Sequence, residues 1–188
     1  MLMRLPSGTK VFIDSEFTSL TQRAQLISLG LVAESGETFY AEFTDFEEGR
    51  ASDFVRDHVI PLLNFREKDV QFIRKEKQHW ELKGDREFVT RHLRAYLAQF
   101  EKIVCWLDYG AYDWVLFCEL FGGSFSLPKG VYYIPLDLSS LLHVKGEDPD
   151  LDRKAFFTQT LDPEFVPRRH HAMDDALILK ELVAYFLG

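Results

Sequence analysis

Three apolar residues, Val11, Phe12 and Ile13, lead directly into Asp14, Ser15 and Glu16, so the first patterned segment reads as a buried strand whose end turns polar. AQLISLGLVAE and ETFYAEF are β-rich and are parted by the turn signal SGE, which predicts a three-stranded meander. Helical spacing then takes over. SDFVRDHVIPLL and DREFVTRHLRAYLAQF read as helices, the second carrying Phe88, His92, Leu93, Tyr96 and Phe100 along one side. KIVCWL (102–107) predicts a fourth strand, and DWVLFCELFGG a helix with Leu116, Phe117 and Leu120 on the stripe headed by Asp113 and a glycine stop. GVYYIPLDLSSLL supplies a short fifth strand and a short helix, and AMDDALILKELVAYFL the last helix. The order βββ-α-α-β-α-β-α predicts an α/β fold with helices around a five-stranded mixed sheet, three antiparallel strands first and then two parallel ones.

Composition fits this picture. With 188 residues, 46% of them hydrophobic, the chain can bury one sizeable core, and the absence of repeats and long linkers predicts a single domain over residues 1–188. No stretch is apolar enough to span a bilayer and no long apolar leader opens the chain, so the expectation is a cytoplasmic protein with no membrane partner. Cys105 and Cys118 sit in apolar runs and read as small buried hydrophobes. A net charge of −8 argues against polyanion binding by the whole surface. Local basic patches remain in FIRKEKQHW (72–80), RHLR (91–94) and PRRHH (167–171), each also readable as a solvated helix face.

The acids carry the chemistry. Residues two apart on a strand share a face, so Asp14 and Glu16 project side by side at a steep cost in desolvation and repulsion unless a cation neutralises them. Chance alone supplies about one Asp-x-Glu among 30 acids in 188 residues, but a solvated acidic loop seldom follows such an apolar lead-in. In the last helix Asp175 falls on the inward stripe of Ala172, Leu179, Val183 and Phe186, whereas Asp174 reads as an exposed first-turn acid favoured by the helix dipole. His170 can meet Asp175 only if VPRRHH is a loop that precedes the helix. Asp113 leads its own helix stripe, with Asp108 as a rival five residues earlier. Asp137 reads as a helix cap, DPDLD (148–152) as a solvated loop, and His171 as a surface residue. Trp80 and Trp114 could stack on bases, Trp114 more plainly as support beside Asp113.

DSEFTSL, DYGAYDW and HHAMDDA together resemble the three motifs of the DEDDh class of 3′-5′ exonucleases, which have a ribonuclease H-like fold. LISLGLVAESGETFYAEF, HVIPLL and YGAYDW extend the likeness to the compact exoribonuclease family first described in mycobacteria. Phe17 and Ser19 depart from the pattern, standing where Thr and Gly are frequent. The resemblance implies a 3′-5′ exoribonuclease that releases nucleoside 5′-monophosphates by two-metal hydrolysis, with a DNA exonuclease or a catalytically silent binding module as alternatives. It further implies that Asp14 contacts both Mg²⁺ or Mn²⁺ ions. Glu16 and Asp175 would hold the ion that carries the attacking water, and Asp113 would support the other through water. His170 would act as general base. Phe17 and Leu20 would meet the RNA 3′ end, and a homodimer would lend basic residues across its interface, with Arg91 and Arg94 or Arg74 and Lys75 as the candidates.

Overall fold

The computed structural model describes residues 7–65 and 71–188; residues 66–70 and residues 1–6, where a leader would begin, lie outside it. Strands β1 (Thr9–Phe17), β2 (Leu26–Ala33) and β3 (Thr38–Phe43) form the antiparallel meander that the sequence predicts. Asp14 lies opposite Gly30 and Glu16 opposite Ser28, and a bulge after Glu16 turns the end of β1.

Beyond β3 the sheet continues through a hairpin, β4 (Phe72–Glu76) and β5 (His79–Gly84), with β5 parallel to β3. On the other side of β1 run β6 (Ile103–Leu107) and the two-residue β7 (Leu136–Asp137), both parallel to it. Among the described residues the order is β4-β5-β3-β2-β1-β6-β7, seven strands where the sequence predicted five. The unpredicted pair includes FIRKEKQHW. All five residues of β4 are exposed, because it is an edge strand guarded by charge, and so it offers no apolar alternation to read. The predicted strand in GVYYIP shrinks to a bridge between Val131 and Ile103 and to the two residues of β7.

Helix α1 (Asp53–His58) is capped by Ser52 and gives way to a 3-10 turn containing Pro61, which cannot donate to a continued helix. α2 (Arg86–Leu97) and α3 (Ala111–Glu119) follow. α4 (Leu138–Lys145) is capped by Asp137 as expected, its carboxylate accepting from Ser140 N–H at 2.8 Å. α5 (Arg153–Phe156), continued by a π-helical turn, has no counterpart in the sequence reading, and α6 (Ala172–Leu187) closes the chain.

Alternate residues of β1 serve opposite cores. Val11 and Ile13 pack with Leu93, Phe117 and Cys105 on one face, and Phe12 packs with Leu138, Ile178 and Leu182 on the other. Both cysteines are buried free thiols, and Trp80 is buried, so its ring is closed to a base. α6 lies against β1 and β2, and it starts hard against the sheet because residue 30 is glycine. A Cβ there would sit 2.4 Å from the Ala172 carbonyl oxygen.

Gly30→Ala should therefore destabilise the protein by about 1–3 kcal/mol, since backbone must move to admit the methyl. This exceeds the gain of about 0.4–1 kcal/mol from stiffening the unfolded chain. Urea unfolding would read the loss as a lower midpoint; an unchanged or higher midpoint would contradict it.

Candidate active site

The site forms beyond the carboxyl ends of the parallel strands, where an open α/β sheet places its ligands. Asp14 and Glu16 share the β1 face that α6 covers, and Asp175, in the first turn of α6, meets them there. Carboxylate oxygens of the three lie within 4.8 Å of one another. At an effective dielectric of about 20, each such pair repels by roughly 3 kcal/mol.

Protonation reflects that strain. Burial raises the Asp14 carboxyl well above the usual range, and Asp175, Asp113 and Glu16 push it further. Burial, then Asp175, lifts Glu16 to about 8. Asp175 is raised by burial against the pull of Lys154, whose Nζ lies 2.8 Å from its Oδ1. One ammonium cannot neutralise three carboxylates. Oxygen-only donors, clustered and undercompensated, suit hard divalent cations such as Mg²⁺ or Mn²⁺ and so fit the metal that the sequence implies.

Asp113 stands apart from the three. The β1–β6 ladder stops at Phe12 and Trp106, which leaves the Ser15 N–H free to donate to Asp113 Oδ1 at 2.9 Å, and the Ser15 hydroxyl donates to the same oxygen at 2.5 Å. Burial raises Asp113 to about 6 while the Ser15 hydrogen bonds oppose that shift. Its charge still reaches Asp14. Asp108, the rival, is taken by Arg153, whose Nε and Nη2 donate to its two oxygens at 2.8 and 2.9 Å. A carboxylate held in that fork is committed to structure.

His170 stands on the loop before α6, as the sequence requires, half-buried and edge-on to Phe54. It lines one cavity of about 380 Å³ with Asp14, Asp108, Tyr109, Arg153, Lys154 and Asp175. Among the described residues, the non-glycine positions with positive φ are Tyr109 at 51° and His170 at 58°, and both border this cavity. Such conformers cost about 1–3 kcal/mol and gather at functional sites. Leu20 is 73% exposed rather than packed. Phe17 stacks on Tyr112 with ring centroids 5.6 Å apart, and the Tyr112 hydroxyl donates to the Leu20 carbonyl at 3.0 Å. Trp114 stacks on Phe117 against the core.

Two expectations from the sequence are corrected here. Asp174 is buried rather than exposed: burial raises its carboxyl, but His171 beside it, and then the Arg168 guanidinium and backbone N–H that donate to it, hold it far below the usual range. His171 is 2% exposed rather than on the surface, its ring stacked on Tyr40 at 4.9 Å as the chain folds under α6. The sequence reading also missed Ser15, Arg153, Lys154 and Arg168. Ser15 had a signal, its place between the two acids. The others approach the site only through the loops before α5 and α6, whose course no periodicity predicts.

Comparison with known proteins bears on the whole chain. The model of the Rv2179c-like 3′-5′ exoribonuclease domain matches residues 9–187. The 3′-5′ exoribonuclease Rv2179c of Mycobacterium tuberculosis, like its counterpart from a second strain, is 32% identical over 139 residues, which span 73% of this chain and 76% of the relative. A solved full-length 3′-exonuclease matches at a TM-score of 0.59 and 15% identity over 95% of this chain and 81% of its own. A 3′-exonuclease solved for 3′-end-specific recognition of a histone mRNA stem-loop covers the same shares at 0.50 and 14%. At such identities these structures speak to the fold alone, a ribonuclease H-like mixed sheet flanked by helices. With the family model spanning the chain from β1 to the end of α6, the protein belongs to the Rv2179c-like 3′-5′ exoribonuclease family.

Proposed function

We propose that this protein is a metal-dependent 3′-5′ exoribonuclease of the DEDDh type that removes nucleoside 5′-monophosphates from RNA 3′ ends through one catalytic domain spanning residues 1–188. The observation that carries the reading is the meeting of Asp14, Glu16 and Asp175 within 4.8 Å, in a chain of an exoribonuclease family. These three carboxylates would hold divalent ions, Mg²⁺ or Mn²⁺, with Asp113 completing the set for a second ion. Bound ions supply Lewis-acid stabilisation of the phosphodiester and its leaving oxygen and acidify the attacking water.

The chain's own groups do the rest. Burial, then Lys154, lowers the pKa of His170 from its ordinary value of 6.5, so its imidazole is neutral at pH 7 and free to accept the proton of the attacking water. Exposed Leu20 lies beside the stacked Phe17–Tyr112 pair, a platform on which the terminal base can rest, with the Phe17 backbone beside the 3′ end. Among the described residues no helix is long and apolar enough to cross a membrane.

The finer assembly we propose is a homodimer in which basic residues of one subunit meet RNA held by the other. Arg74 is already paired with Glu81 and Lys75 lies over Trp80. Arg91 and Arg94 rest over Phe88 and Phe121 and border a groove with Arg86, with no salt bridge among the described residues. Of the four candidates, these two are the ones left available to phosphate.

Purified protein with Mg²⁺ should shorten 3′-labelled RNA in preference to matched DNA. Asp14→Asn, Glu16→Gln, Asp113→Asn and Asp175→Asn should each lose at least about 100-fold in turnover, consistent with removal of a metal ligand. Equal rates for wild type and Asp113→Asn, with Asp108→Asn inactive, would reverse the choice of second acid.

His170→Ala should lose about 10²–10⁴-fold in turnover, the usual worth of a general base, yet retain Mn²⁺ affinity in calorimetry. Full activity of that variant across neutral pH would remove the base from this position.

The pH dependence of stability follows from the raised acids. Glu16 moves from 4.5 to about 8 on folding, so native protein binds the proton more tightly than the unfolded chain between those values, and stability falls as pH rises through that window. Metal-free protein should thus melt at lower temperature at pH 8 than at pH 5.5, Mg²⁺ should remove the difference, and Glu16→Gln should shrink it. A metal-free melting temperature that rises over this range would count against the shift.

Sedimentation should find a dimer at assay concentration, and Arg91→Glu with Arg94→Glu should weaken RNA binding alike for all sequences. A fully active monomer would dispose of the contribution in trans.

A further inference from the structure

We infer that Lys154 is a further residue of the hydrolytic site: it occupies the cation position at Asp175 in metal-free protein and passes to the phosphate under attack once divalent ions take the carboxylates. The inference rests on the metal-dependent reading above.

Lys154 Nζ is 2.8 Å from Asp175 Oδ1 and 3.4 Å from the Arg168 carbonyl oxygen. Among the described residues, it is the cation that an ion pair joins to the three-carboxylate cluster. Arg153, its neighbour on the same cavity wall, is spent on Asp108 and on the Ser139 hydroxyl at 2.7 Å. An ammonium and a divalent cation repel each other, so an ion ligated by Asp175 would weaken the 2.8 Å pair and favour release of the ammonium to another anion.

The backbone under Lys154 is fixed while its head is able to change partners. Asp152 caps α5 by accepting from Ala155 N–H at 2.9 Å, and Arg153 anchors the same turn to the loop after β6. Lysine is a point charge on a flexible four-carbon stem, suited to exchanging partners without movement of the main chain. Once displaced, it stays in a cavity whose other charged walls are acids, an arginine already paired and His170. An entering phosphodiester supplies the anion that the ammonium has lost. The bond to the Arg168 carbonyl adds a second consequence, since Arg168 opens the segment that ends in His170. In metal-free protein Lys154 ties that segment to Asp175, and its release lets the base settle around substrate.

Two measurements on the full chain test this with Lys154→Met, which keeps the stem and removes the charge. Without RNA, Mn²⁺ titrated by calorimetry should bind about fivefold tighter than to wild type, the worth of one competing ion pair. In Ca²⁺, a short RNA with an ordinary last linkage should bind about tenfold more weakly. The same RNA with an uncharged methylphosphonate there should bind wild type and variant alike. Lys154→Arg should keep the phosphate preference, which separates charge from packing. Unchanged or weaker Mn²⁺ binding by Lys154→Met would overturn the placeholder, and equal losses for both linkages would overturn the phosphate contact. Wild type that neither binds Mn²⁺ nor degrades RNA would instead sink the function on which the inference stands.

Discussion

The site depends on one backbone-to-backbone approach, that of the start of α6 to Gly30 of β2. Asp14 lies directly across from Gly30 in the β1–β2 ladder, so the residue that lets the helix come close is paired with the acid the helix must reach. Any side chain at position 30 would hold Ala172 away, and Asp175, one turn along, would recede with it. Burial of Ile178, Leu179, Leu182 and Val183 against Phe12 and Trp106 holds the helix in that place. Apolar packing along α6 thus opposes the repulsion gathered at its first turn, an arrangement that hydrophobic burial of about 1.5–3 kcal/mol per large side chain can sustain.

Arginine sorts the acids into two kinds. Asp108 and Asp174 lie close in sequence to Asp113 and Asp175, yet each of the former is gripped by a guanidinium, from Arg153 and Arg168 respectively. Asp14, Glu16 and Asp175 have no such partner among the described residues, and all three are raised. Planar two-point pairing commits a carboxylate to structure. Carboxylates left to repel one another keep their lone pairs open, and the proposed ion would return the stability they forgo.

The difference between paired and unpaired acids also explains what the sequence could disclose. Asp14 and Glu16 were legible because period-two geometry follows from β-structure alone, and Asp175 because an acid interrupted an apolar stripe of period 3.6. The central strands β1, β2, β3 and β6 were legible for the same reason, being bounded apolar runs. Asp174 was misread since helix position places it beside Asp175 on the first turn, while its burial comes from Arg168 arriving on a loop. His171 was misread likewise; its surroundings are set by Tyr40 in β3, distant in sequence. The β4–β5 hairpin escaped because an edge strand with every residue exposed has no core face to announce it. Local periodicity carries the frame, and contacts made through loops do not appear in it.

The charge balance limits how this protein can hold RNA. A chain of net charge −8 gains nothing from broad contact with a polyanion, and its attraction has to be local, at the cations beside the cavity. That cavity of about 380 Å³ lies in the lower range of small-molecule sites and is walled by α5, α6 and the loop after β6. Asp14 and Asp175 in its lining, with Glu16 beside them, repel phosphate, so on the proposed function bound ions would have to reverse the local sign before substrate could enter. A strand in mid-chain would have to carry phosphates past the acidic surface on both sides of such a pocket. A 3′ end presents one nucleotide to the pocket and leaves the rest of the strand on one side only, so under the proposed function an acidic protein with a small site is suited to cutting from an end.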